Sequence, residues 1–330
     1  MTMMAPQLDL GALGSEMLAT IRREYYLPES KLYAERPDRK QPAFNWGVGV
    51  MLSALNAAAK HDATFVPWLR EYADASRVYW NQGGYDVLPA PKPLDRYYDD
   101  NAWMVLALVE THEVLGDRKY LDWAKEALDF TLSGEAKDGG IYWRESDRAS
   151  RNTCSNAPSA AACLAVYKHT KDAKLLAKSR ELYAWTRKHL QDPADGLYWD
   201  NLANSGKLDK TKWTYNTALM IRTAAELRTI DPAFADGDDL SRMIDASHRR
   251  WFAKGRYDDV GRFAHLLLES WLVAGEQRAE YLKAAAGLHQ LRNAKGYVPP
   301  HWGRDATEDN PEILDQAAFA RTCFVLAVKK

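Results

Sequence analysis

Gly116-Asp117-Arg118-Lys119-Tyr120-Leu121 is the stretch whose recurrence decides the fold. Equivalent segments are His61-Asp62-Ala63-Thr64-Phe65 and Lys171-Asp172-Ala173-Lys174-Leu175-Leu176, and their aspartates stand 117 − 62 = 55 and 172 − 117 = 55 residues apart. Looser copies follow at Ile230-Asp231-Pro232-Ala233-Phe234 and at Gly275-Glu276, which leads into Ala279-Glu280-Tyr281-Leu282. A fixed period of this length marks a repeated supersecondary unit. A second phase of the same repeat is a glycine-aromatic turn: Gly83-Gly84-Tyr85, Gly139-Gly140-Ile141-Tyr142-Trp143, Gly196-Leu197-Tyr198-Trp199, Gly255-Arg256-Tyr257 and Gly296-Tyr297.

Each unit therefore reads as helix, short turn, helix, glycine-marked loop. Trp103, Leu106, Ala107, Glu110 and Val114, apolar but for Glu110, follow steps of three and four, as do Tyr120, Ala124, Ala127, Leu128 and Leu132 beyond the turn. That spacing puts apolar side chains on one helical face. Asp117, Asp172 and Asp231 stand where an N-cap would open the second helix. No long apolar-polar alternation predicts a strand, so the class is all-α. First helices are predicted to begin near Trp46, Asp100, Ala157, Tyr215, Gly261 and Ile313. Second helices are predicted near Thr64, Lys119, Lys174, Asp239 and Glu276, with Leu13 to Tyr25 as a further N-terminal helix. Six hairpins, each with an apolar face to cover, can close into a toroid, an (α/α)6 barrel. The first set then forms the inner ring, and the N-terminal helix packs beside the C-terminal one. An open superhelix is the alternative architecture. Closure makes residues 1–330 a single domain.

The chain has 330 residues, 46% apolar and 27% charged, with a formal net charge of -1. This is the balance of a globular protein with a large core. Interspersed charges give no basic footprint for nucleic acid, and no stretch is long and apolar enough to span a membrane. Without a visible leader the sequence reads as cytoplasmic, or as secreted or periplasmic once a leader has been removed. Cys154, Cys163 and Cys323 lack CxxC spacing and read as buried thiols, not as a disulfide or zinc framework. No nucleotide, flavin or metal motif is present, so no cofactor is expected. The unusual component is 12 Trp and 17 Tyr. Such rings stack on the C–H faces of sugars, while neighbouring amides and carboxylates bond the hydroxyls.

In a closed ring the loops before the inner helices open on one end. They read Phe44-Asn45-Trp46, Arg96-Tyr97-Tyr98-Asp99-Asp100-Asn101, Arg151-Asn152-Thr153-Cys154-Ser155-Asn156 and Lys212-Trp213-Thr214-Tyr215-Asn216, with Asp315-Gln316 opening the sixth. Capping alone would need one Ser, Thr, Asp or Asn per helix, so the surplus predicts a ligand. Asp99-Asp100 leads the candidates. Adjacent carboxylates repel, which raises one pKa, while the helix N-terminus favours the other as an anion. Glycoside hydrolysis needs that division, with the two carboxyls about 5–5.5 Å apart in retaining enzymes. Asp238-Asp239 and Asp258-Asp259 read as surface pairs of no such consequence.

At these residues the chain resembles glycoside hydrolase family 76, the α-1,6-mannanases with an (α/α)6 barrel. The likeness runs through Tyr98-Asp99-Asp100-Asn101-Ala102-Trp103, Gly116-Asp117 with Tyr120-Leu121, Gly139-Gly140-Ile141 with Trp143, Asn152-Thr153 with Ser155-Asn156-Ala157-Pro158, and Trp213-Thr214-Tyr215-Asn216. It implies retaining, endo-acting cleavage of α-linked mannan, with Asp99 as nucleophile and Asp100 as general acid/base. It also implies subsites lined by Asn101, Trp143, Asn152, Asn156, Trp213 and Tyr215. The loop pattern adds Asn45, Trp46, Tyr98 and Asn216 to that lining. Other readings are an unsaturated-uronide hydrolase, for which Arg96, Arg144 or Arg151 would hold a carboxylate, and a sugar epimerase using His265 or His301. A carbohydrate-binding protein without catalysis is the remaining one.

Overall fold

The computed structural model describes residues 9–276 and 279–327. Its helices are α1 Leu10–Tyr25, α2 Asn45–His61, α3 Val66–Ser76, α4 Tyr98–Leu115, α5 Arg118–Leu132, α6 Thr153–Thr170, α7 Ala173–Leu190, α8 Thr214–Ile230, α9 Asp239–Trp251, α10 Gly261–Val273, α11 Ala279–Gln290 and α12 Ile313–Ala327. The even-numbered helices pack in a closed cycle, α2 on α4, α4 on α6, α6 on α8, α8 on α10, α10 on α12, and α12 back on α2. Helix α1 lies against α12 and completes the outer layer. The architecture is the (α/α)6 barrel, and short antiparallel hairpins of two or three residues occupy the connections.

Local chemistry fixes the outer starts. Asp62, Asp117 and Asp172 each accept a hydrogen bond from the backbone N–H two residues on, at 2.9, 3.1 and 2.9 Å. Gly116 ends α4 in the left-handed region at φ 66°, where a side chain would be strained. Asp231 departs from the pattern: α9 begins at Asp239, so Asp231 instead holds the Ala233 N–H of a turn and pairs with Arg180. Asp239 and Asp259 are not surface residues either. Asp239 is buried between Arg187, Arg242 and Gln191, and Asp259 caps α8 through the Thr214 N–H and hydroxyl.

The glycine-aromatic loops prove to be stitches. Asn101, in the fourth position of α4, accepts from Tyr85 N–H at 2.7 Å and donates to its carbonyl at 2.9 Å. Asn156 of α6 does the same to Ile141, and Gln316 of α12 to Val298. Thr217 of α8 accepts from Tyr198 N–H. Two residues beyond each grasped residue, the loop carbonyl accepts the first N–H of the preceding inner helix. These bonds join Asn45 to Val87 at 3.0 Å, Tyr98 to Trp143 at 2.9 Å, Thr153 to Asp200 at 2.8 Å and Gly261 to Pro300 at 2.7 Å. Each such loop thus ties one inner helix to the next and satisfies backbone groups that a buried helix end would leave open.

Asn101 and Asn156 therefore spend their amides inside the scaffold, and both side chains are fully buried. This corrects their reading as sugar ligands. Replacing Asn101 with Ala leaves the Tyr85 N–H and carbonyl unpaired and costs about 2–4 kcal/mol. The expected result is a lowered Tm by calorimetry, with KM unchanged in whatever fraction stays folded.

Candidate active site

The stitches set the first turns of the inner helices side by side at one end of the barrel, where the second residues of α4, α6 and α8, namely Asp99, Cys154 and Tyr215, come together. Asp100 follows Asp99 in α4. Both carboxylates are half-buried, deep among protein groups yet open on one side. Their surroundings differ. Asp99 Oδ1 accepts the Asp100 N–H at 3.0 Å, and Oδ2 accepts the Trp143 indole N–H at 3.0 Å. The Cys154 thiol and the Tyr215 hydroxyl stand close to Asp99. Burial pushes Asp99 up to about 6, and the nearby Cys154 side chain together with the two N–H donors holds it from going higher. Asp100 has no such donor. Burial and the neighbouring carboxylates Asp99 and Asp95 carry it well above the ordinary carboxylate range. The pair therefore divides into a donor-fed anion at Asp99 and a carboxylic acid at Asp100.

Aromatic rings surround the pair. Tyr215 stacks on Phe263 at 4.2 Å, Trp46 stacks on the same ring at 5.5 Å, and Trp213 leans on it at 5.6 Å. Trp143, Trp213 and Phe44 are 40%, 37% and 42% exposed at the rim. Asn216 reaches Asp200 Oδ1 at 3.4 Å, while its own carbonyl oxygen has no partner. Asn45 is fully buried at the start of α2 with both amide atoms unpartnered. Asn152 precedes α6 and accepts the Ser150 hydroxyl. Tyr98 is not a lumen residue: it is fully buried, stacked on Phe130, and its hydroxyl accepts from Arg148.

Cys154, Asp200 and Phe263 are the site groups that the sequence reading passed over. Cys154 is the second residue of α6, as Asp99 is of α4, and Phe263 is the third residue of α10. Asp200 occupies the place in its loop that Trp143 occupies in the preceding one, two residues past the grasped residue. Burial raises its carboxyl, and Asn201, Asn216 and Trp213 partly offset that. The signal was positional, available once the helix registers were known.

The groups needed for the other readings are engaged elsewhere. Arg96 forms a two-pronged pair with Glu145, Arg151 with Asp138, and Arg144 binds Asp95. His265 is buried with Nδ1 at the Gly261 carbonyl, and His301 Nδ1 accepts the Gly303 N–H.

A helical barrel with paired carboxylates under a rim of indoles defines a carbohydrate-active class of enzyme. The model of glycosyl hydrolase family 76 matches residues 15–260, and the chain belongs to that family; it is a glycosidase acting on carbohydrate. Among solved structures, a family 76 α-mannanase of Bacteroides thetaiotaomicron is 26% identical, with 98% of this chain and 96% of that one covered at a TM-score of 0.91. An inactive variant of the α-1,6-mannanase of Salegentibacter sp. HEL1_6, with two consecutive aspartates changed to asparagine and α-1,6-mannotriose bound, is 19% identical over 97% and 99% of the two chains, TM-score 0.84. A D-mannose isomerase shares the fold at 14% identity, over 99% of each chain, TM-score 0.75. No curated protein matches the chain. Among the described residues no helix is long and apolar enough to cross a membrane.

Trp143→Phe keeps a ring at the rim but deletes one donor to the Asp99 anion. A carbon-13 NMR titration is expected to find the Asp99 carboxyl protonating about one pH unit higher than in the wild type.

Proposed function

We propose that the whole chain forms one catalytic domain that cleaves α-1,6-mannosidic bonds within a chain, with retention of configuration. The observation that carries this reading is the unequal provision of the two carboxylates: two hydrogen-bond donors on Asp99, none on Asp100 among the described residues. The neutral Asp100 gives its proton to the glycosidic oxygen as the bond to the anomeric carbon breaks. An Asp99 oxygen attacks that carbon from the other side and forms a glycosyl ester. Water then attacks the same carbon, Asp100 takes its proton, and the Asp99 carboxylate leaves. Two inversions return the original anomer.

The substrate assignment leans on the mannanase neighbours and on the lining. Trp143, Trp213 and Tyr215 offer ring faces to the sugar, while Asp200 and Asn152 offer polar atoms to its hydroxyls, with Trp46 backing them; Asn45 and Asn216, fully buried, sit behind this lining and do not reach a sugar. Exposed rings on several sides of the rim leave the mouth open to a chain continuing in both directions, which supports endo action. A uronide hydrolase is disfavoured because Arg96, Arg144 and Arg151 are already neutralised, and an epimerase because His265 is sequestered.

Hydrolysis of α-1,6-linked manno-oligosaccharides, with the released anomer followed by NMR, tests the proposal. The wild type is expected to release the α-anomer first, and Asp99→Asn or Asp100→Asn to lower kcat at least about 10³-fold. Activity should fall as pH drops through about 6, where Asp99 takes up a proton, and again at high pH as Asp100 loses one. An initial β-anomer, or cleavage that survives both substitutions, would overturn the mechanism.

A further inference from the structure

The lumen does not end at the catalytic groups. Beneath the layer of Trp46, Trp103 and Phe263, a second cavity of about 180 Å³ opens toward the opposite end of the barrel. It is lined from all six inner helices and touches neither Asp99 nor Asp100. Trp46 and Trp103 form its inner end, Arg321, Glu269 and Arg222 its wall, and Lys60 and Lys168 stand at its outer edge.

Its charges cancel. Arg321 binds Glu269 at 2.8 Å and Glu110 at 2.7 Å, Lys60 binds Glu110 at 2.9 Å, and Lys168 binds Glu226 at 3.1 Å. Burial keeps His265 neutral by lowering its pKa. A net charge on a ligand would therefore meet no counter-charge. Hydrogen-bonding capacity is nevertheless left over. Arg222 donates only through Nε, to Glu226 at 3.2 Å, and neither of its terminal amino groups has an acceptor among the described residues. Arg222 is one of the residues that line the cavity. A guanidinium edge, carboxylate oxygens and two indoles around a neutral space form the combination that holds a polyhydroxylated ring. Hydroxyls accept from Arg222 and donate to the carboxylates, and the C–H face lies against an indole.

We propose that this cavity is a second binding site, for a single neutral hexopyranose, separate from the catalytic mouth. Because Trp46 borders the cavity and also stacks on Phe263, which carries Tyr215, a sugar held there rests on the back of the ring stack that lines the mouth.

Titration calorimetry with D-mannose tests it on the wild type and three variants. Ala165→Phe fills the cavity from a half-buried lining position, Arg222→Met removes the free donors while Glu226 keeps Lys168, and Trp213→Ala alters only the mouth. The expected result is mannose binding that survives Trp213→Ala and weakens at least about tenfold in Ala165→Phe and Arg222→Met. Both cavity variants should keep wild-type hydrolysis, so the outcome is independent of whether the mouth cuts mannosides. A mannose-soaked crystal of the wild type gives a reading that needs no variant, with density expected against Trp103. Mannose seen only at the mouth, binding indifferent to both cavity substitutions, or displacement of mannose by inorganic phosphate would overturn the proposal.

Discussion

The rest of the structure depends on the double grip that four of the five glycine-marked loops exert. One grip comes from an amide or hydroxyl in the fourth position of the following inner helix, the other from the first N–H of the preceding one. Without it, four helix N-termini would meet at one end of the barrel with their first N–H groups unpaired, a cost of about 1–3 kcal/mol for each buried group. The grip also fixes rotation. Holding the first and fourth residues of a helix leaves the second and third with one direction to point. Asp99 and Asp100 keep their orientation because Tyr98 and Asn101 are tied.

The opposite end of the barrel is joined differently, by charge. Lys60 of α2 reaches Glu110 of α4; Glu113 of α4 reaches His169 of α6; Lys168 of α6 reaches Glu226 of α8; Arg321 of α12 reaches Glu269 of α10 and the Ser53 carbonyl of α2. Desolvating such groups offsets most of the attraction between them, so this hoop adds little net stability. Its physical effect is on the alternatives. Opening the ring between α12 and α2 or α10 would strand Arg321 or Glu269, whose carboxyl the guanidinium holds down at about 2. The closed toroid is thus favoured over the open superhelix that the same hairpins could otherwise form.

The architecture was legible because it is periodic. The 55-residue spacing marked the hairpins, and the predicted helix starts lie close to those observed, the largest gap among the inner helices being 157 − 153 = 4 residues, at α6. The site was legible in part. Trp143 and Tyr215 were picked out by type and do line the carboxylate pair. Asn101 and Asn156 were misread because an amide that clamps a backbone and an amide that binds a hydroxyl look alike in sequence. Cys154 and Phe263 were passed over for the converse reason, since a small thiol and a ring in an apolar run carry no mark of function. Asp231 failed as a cap because a nonrepeating turn, held by Asp236 on Arg228, delays α9 to Asp239.

This separation of gripping from lining positions explains how one barrel can serve different chemistries. In α4, α6 and α8 the first and fourth residues are constrained by the scaffold bonds, whereas the second residues are free of them. Trp46, Asp99, Cys154 and Tyr215 are all second residues and are chemically unrelated. A D-mannose isomerase can therefore share the framework at 14% identity without sharing the reaction. Within this chain, the decisive letters are those that feed hydrogen bonds to one carboxylate and withhold them from its neighbour. Trp143 comes from a loop held by Asn156, and Cys154 from the helix that carries Asn156. The same residue that closes a stitch in the scaffold thus also places the Trp143 donor and the Cys154 side chain beside Asp99 and leaves Asp100 without either.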